Sequence, residues 1–167
     1  MSKTAKPLDL HRELCRRPDA EATIRGSERF PGLSGLVRFY QTKRGVLVYA
    51  EVSGLPQSAE GCGNRFFAFH IHSGGPCTGS REDPFADALT HYNPGECPHP
   101  AHEGDLPPLL ANHGYALQVF LTDHFVLRDI IGRTVIVHAE PDDFTTQPGG
   151  GAGNRIACGQ IQAVCSQ

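Results

Sequence analysis

A chain of 167 residues is long enough to bury a core as one domain. A formal net charge of −3 with 20% charged residues supplies no basic stripe for a nucleic-acid partner, and no apolar run is long enough to cross a bilayer as a helix. The 19 Gly and 13 Pro, with no Trp, favour short strands joined by turns over long helices. In chain order, the start "MSKTAKPLDLHRELCRRPDA" shows no apolar stretch after its basic residues, so no signal peptide is visible and a cytoplasmic location is favoured. Within it, residues 7–16 form a short helix with Leu10 and Leu14 on one side and a stop near Pro18. Residues 1–21 read as an N-terminal extension to a domain of residues 22–167. Strands are expected at 22–26, 33–42, 45–55 and 65–72, with "TKRG" turning the second into the third. From Ser73 to Asn112 the pattern stops, and a stretch of that length inside a compact domain signals function or disorder. Strands resume at 115–123, 134–140 and 155–164, the last two separated by an irregular loop at 141–154.

Nine histidines carry most of the chemistry. In "FFAFHIH", Phe67, Phe69 and Ile71 alternate with Ala68, His70 and His72, so the two imidazoles share the face opposite the apolar one, roughly 6–7 Å apart. In "TVIVH", Val135 and Val137 face the core and put His138 on the outer face as well. The long loop adds His91, His99, His102 and Asp105, while His11, His113 and His124 look incidental. Imidazole nitrogen and carboxylate oxygen suit borderline-soft divalent ions, and four such groups make a tetrahedral zinc site. An H-x-H pair alone is weak evidence. Its combination with a loop cluster and a third strand histidine points to metal. Of six cysteines, Cys15, Cys62, Cys77, Cys97, Cys158 and Cys165, at most one bridge is expected, since a chain of this size needs no stapling.

These segments resemble the copper,zinc superoxide dismutases. The matching motifs are "FHIH" with Cys77 five residues on, "HYNP", "HPAHEGDLPPL", "IIGRTVIVHAEPDD" and "GAGNRIACG", in the family's order over residues 69–159. The resemblance implies an all-β fold, an eight-stranded Greek-key β-sandwich or flattened barrel with two long functional loops. It implies copper held by His70, His72, His91 and His138, and zinc held by His91, His99, His102 and Asp105, with His91 shared. Arg155 would receive the superoxide anion beside the copper, Asp142 would be the carboxylate joining a ligand of each metal, and Cys77 and Cys158 would form a disulfide. The activity implied is dismutation of superoxide to oxygen and hydrogen peroxide, with Arg155 and His91 in catalytic roles.

The chain departs from the family pattern at Ala68 and Thr90, which stand where glycine is usual, and in its second loop, 141–154, which carries no Lys or Glu. Cys97 lies inside the zinc segment, whose ligand set is complete without it. Two other readings stay open at this point. A copper storage or delivery module would lack ligands or the arginine, and neither is lacking here; a β-sandwich holding zinc alone would carry the same residues. Homodimer and monomer remain undecided, since no subunit interface is identified by the sequence.

Overall fold

The computed structural model describes residues 7–57 and 63–165. Helix α1 (Leu10–Cys15) precedes strands β1 (Ala20–Gly26), β2 (Ser34–Thr42), β3 (Gly45–Ser53) and β4 (Phe66–His72). After a 3-10 turn at Ala86–Ala88 come β5 (Asp105–Leu110) and β6 (Tyr115–Thr122), then α2 (Leu127–Ile130), β7 (Thr134–His138), β8 (Arg155–Gln160) and the two-residue β9 (Gln162–Ala163). Alternation drives the packing: along β3, Val46, Val48, Ala50 and Val52 are fully buried, while Tyr49 and Glu51 between them stay partly exposed.

Eight strands pair antiparallel in the order β5-β4-β7-β8-β1-β2-β3-β6. The amide of Gln118 on β6 donates to Pro107 O on β5 at 3.0 Å, so the sheet nearly closes on itself. The result is the eight-stranded flattened barrel expected, with Phe67, Phe69, Ile71, Val135 and Val137 in its interior. A smaller cluster outside the wall gathers Phe85, Ala88, Ile136 and Cys158, with Cys77 against it.

Three local readings change. Residues 105–110 form a strand inside the stretch expected to be irregular. "DLPPLL" lacks strand character because Pro cannot donate to a ladder, yet β5 is an end strand and meets the difficulty with a bulge. Phe67 pairs Leu109 and Phe69 pairs Leu106, so Pro107 and Pro108 together oppose Ala68, whose N–H turns instead to Glu140 O at 2.8 Å. The strand expected over 155–164 breaks at Ile161, and β9 leaves β8 to pair with β1 at Ala20 and Glu21. In α1 the buried residue is Glu13, ion-paired to Arg12 and Arg16, while Leu10 is exposed. No helix among the described residues is long and apolar enough to cross a membrane.

Candidate metal centre

Strand register gathers the histidines. Leaving the interior to Phe69 and Ile71, β4 turns His70 and His72 outward, where the two irregular loops cover them so fully that His70 is 0% and His72 1% exposed. Opposite these two residues lie Asp105 at the start of β5, which pairs His70, and β7, which ends in His138. His138 in turn pairs Arg155, the first residue of β8. The loop returns along β4, and His91 makes an isolated bridge to His72.

Two groups of four form around one shared residue: His70, His72, His91 and His138, and His91, His99, His102 and Asp105. In each, one ligand atom per residue lies within 4.8 Å of all the others. All seven residues expected from the sequence are brought together. Cys97 is exposed and belongs to neither group.

Hydrogen bonding at the far side of four of the rings, His70, His72, His99 and His138, fixes where their lone pairs point. His72 Nδ1 donates to Leu89 O at 2.9 Å and His138 Nδ1 to Gly153 O at 3.3 Å. Burial, reinforced by neighbouring imidazoles, drives the His72 ring down to about 2 and the His138 ring down to about 3, so both are neutral. Each is then left with an unprotonated Nε2, and these two atoms face each other at 3.3 Å. His70 and His99 donate through Nε2 to the two oxygens of one carboxylate, Asp142, at 2.8 and 2.9 Å. Their Nδ1 atoms are buried without a hydrogen-bond partner. His99 Nδ1 lies 2.9 Å from Asp105 Oδ2, acceptor facing acceptor, and His102 Nδ1 lies 3.2 Å from the same oxygen. An unpaired buried acceptor costs about 1–3 kcal/mol. Several of them converging on two points form a donor set that fits two cations, one all-imidazole and one with a carboxylate.

The carboxylates are ionised to match. Burial pushes Asp142 up, but hydrogen bonds from His70, Phe144 N–H and His99 outweigh it and hold the group well below the carboxylate range. Asp105 is likewise lowered against its own burial, mainly by the hydrogen bond from His91 Nδ1 at 2.8 Å. Asp142 therefore touches one histidine of each group.

Arg155 is anchored by three oxygens. Its Nη1 donates to Phe85 O and its Nη2 to Leu89 O, both at 2.7 Å, and Asp83 Oδ2 lies 3.3 Å away. The guanidinium side chain keeps 19% of its surface exposed. Cys77 and Cys158 are disulfide-bonded, Cys15, Cys97 and Cys165 are free and exposed, and Cys62 lies outside the described residues.

Two residues of the site escaped the sequence reading. Leu89 accepts from both His72 and Arg155 through its carbonyl, and holds φ 62° and ψ −144°, a backbone region nearly confined to glycine. Only its neighbourhood to the "THYNP" motif hinted at a role. Gly150 has φ +68°, and a Cβ there would meet Asp142 Oδ1 and approach His99 Nε2 to 2.7 Å, so a side chain would displace the Asp142–His99 bond. The "GGGAG" run was the available signal.

Comparison with known proteins agrees with this geometry. The family model described as copper/zinc superoxide dismutase matches residues 33–161. "Superoxide dismutase [Cu-Zn] 1" of Aquifex aeolicus is 34% identical over 145 residues, 77% of this chain and 79% of its own. The Cu-Zn superoxide dismutase of Deinococcus radiodurans is 31% identical over 150 residues, 79% of each chain. Among solved structures, the Cu/Zn superoxide dismutase from Brucella abortus superposes with a TM-score of 0.72 at 27% identity, covering 86% of this chain and 99% of that one. Family match, barrel and paired histidine clusters coincide on the same residues, and the chain belongs to the copper/zinc superoxide dismutase family.

Proposed function

We propose that His70, His72, His91 and His138 hold copper, that His91, His99, His102 and Asp105 hold zinc, and that His91 is common to both. The observation that carries this assignment is the membership of His91 in both four-residue groups, with the free ring nitrogens of His70, His72, His99 and His138 directed inward. The protein dismutates superoxide to oxygen and hydrogen peroxide with copper and zinc as its cofactors. When bound, copper supplies the one-electron couple that oxidises one superoxide and reduces the next, and zinc, which has no redox chemistry, supplies charge.

The remaining roles belong to the chain. Arg155 presents a permanent charge held in a fixed fork by Phe85 O and Leu89 O, and draws the small anion to the open side of the His70, His72 and His138 cluster. His91, the residue common to both groups, would lie between the two metals when they are bound and would be the imidazole placed to hand a proton to the peroxide product. Asp142 orients His70 and His99 together, which couples the geometry of the two clusters. Gly149 allows the second loop to close over the shared ring, a Cβ at that position lying 3.1 Å from His91 Nε2.

Metal analysis of protein purified without added metal, paired with a superoxide dismutation assay, tests the reading. Copper and zinc present together with turnover are expected; metal without turnover would leave a storage module instead. Within the same assay, Arg155→Ile is expected to lower activity about tenfold, the lower end of what electrostatic guidance contributes to association, while copper content stays near wild type. Because the 141–154 loop carries no Lys, the rate should also fall gently with added salt. Equal activity at equal copper loading in the variant would remove Arg155 from substrate guidance.

A further inference from the structure

His91 poses a problem that the other five histidines of the site do not. His72 and His138 tie their second nitrogen to a carbonyl, and His70 and His99 tie theirs to Asp142. His102 is anchored through its backbone N–H, which donates to Asp105 Oδ2 at 3.1 Å. A residue that serves both clusters has no ring nitrogen left over for an orienting hydrogen bond, so its position must come from the chain on either side of it.

Arg133, just ahead of β7, supplies that hold. Its Nε donates to Asp129 O at 2.8 Å and its Nη1 to Ser73 O at 2.9 Å, and the face of the guanidinium lies over the Tyr92 ring with the central carbon 4.0 Å from the centroid. Ser73 directly follows His72, and Tyr92 directly follows His91. The same two segments are laced to each other, Ser73 N–H donating to Thr90 O and Tyr92 N–H to Ile71 O, each at 2.8 Å. Next along the chain, the Thr134 hydroxyl donates to Gly74 O at 3.0 Å, pinning the exit from β4 one residue further on. All three contacts of the Arg133 guanidinium are to uncharged groups, so it acts here through its plane and its donor fork rather than as half of an ion pair.

We propose that Arg133 is the positioning residue for the shared ligand: by stacking on Tyr92 and bonding Ser73, it fixes the backbone on the far side of His91 and beside His72, and so keeps the His91 ring aligned with both clusters. A site of this kind works only when its groups are held to within about 0.5 Å, and the planar guanidinium contacts both segments. The proposal rests on the assignment of His91 as the ligand common to copper and zinc.

Its test is the electron paramagnetic resonance spectrum of bound copper(II), recorded before and after zinc is added, in the wild-type protein, Arg133→Met, Tyr92→Leu and Tyr92→Phe. Wild type and Tyr92→Phe, which keeps the aromatic face, should show the copper signal shift on zinc addition. Arg133→Met and Tyr92→Leu should bind copper but lose most of that shift, with activity per bound copper lower by about tenfold, as for the loss of other outer contacts to ligands. If wild-type copper does not respond to zinc, the shared-ligand assignment itself fails. If wild type responds and both variants respond equally, or lose only melting temperature, Arg133 has no positioning role. Should Arg133→Met not fold, Tyr92→Leu decides the question from the other side of the stack.

Discussion

Replacement of His91 by alanine is expected to reduce superoxide dismutation by more than about 100-fold, beyond the 10–100-fold that loss of an outer hydrogen-bond partner costs a metal site. The size of the effect follows from the double membership of this side chain. Each cluster is left with three of its four residues, His70, His72 and His138 on one side and His99, His102 and Asp105 on the other. Three donors still bind, so some zinc and copper should be recovered with the variant protein. What disappears is the one residue common to both clusters and, with it, the proposed proton donor to the product. The copper(II) spectrum should change in the metal-loaded variant, and zinc addition should no longer affect it. Wild-type activity in His91→Ala would remove the bridging role altogether.

The gathering of the histidines was legible because strand alternation and loop spacing each give a constraint that survives without coordinates, whereas the sharing of His91 was implied only by the motif resemblance. Phe69 and Ile71 inside force His70 and His72 outside, and Val135 and Val137 inside do the same for His138. Sequence alone could not say that β4 and β7 are neighbours, since that depends on two long crossings, from β3 to β4 and from β6 to β7. Motif resemblance filled the gap. Missed were features in which a side chain matters less than a backbone. The prolines of β5 hid an end strand whose bulge against Ala68 is visible only in the pairing. Leu89 contributes a carbonyl, and nothing in the chemistry of a leucine side chain announces it. Gly150 matters for the space it leaves beside Asp142, and Arg133 for segments 60 and 41 residues earlier in the chain that only folding brings to it.

The disulfide is expected to join stability to activity. Cys77 and Cys158 are 81 residues apart, and closing a loop of that length restricts the unfolded chain by about 4–5 kcal/mol in the chain-entropy model. Where the bond sits decides what else is lost with it. Cys77 packs with Phe85, Ala88, Ile136 and Cys158 in the small cluster outside the barrel wall. Phe85 O and, beyond the 3-10 turn, Leu89 O are the carbonyls that grip Arg155, and Leu89 O also holds His72. Without the covalent tie, the segment from Cys77 to Leu89 keeps only its packing and hydrogen bonds against β7 and β8, and both the guanidinium and a copper-side imidazole lose a fixed acceptor. Cys77→Ser and Cys158→Ser should therefore lower the melting temperature and the dismutation rate together, whereas Cys15→Ser and Cys165→Ser, at exposed free thiols, should leave both unchanged. Cys62→Ser, at a position outside the described residues, is also expected to change little. Non-reducing peptide mapping checks the premise directly, and active, metal-loaded protein without the 77–158 cross-link would defeat it.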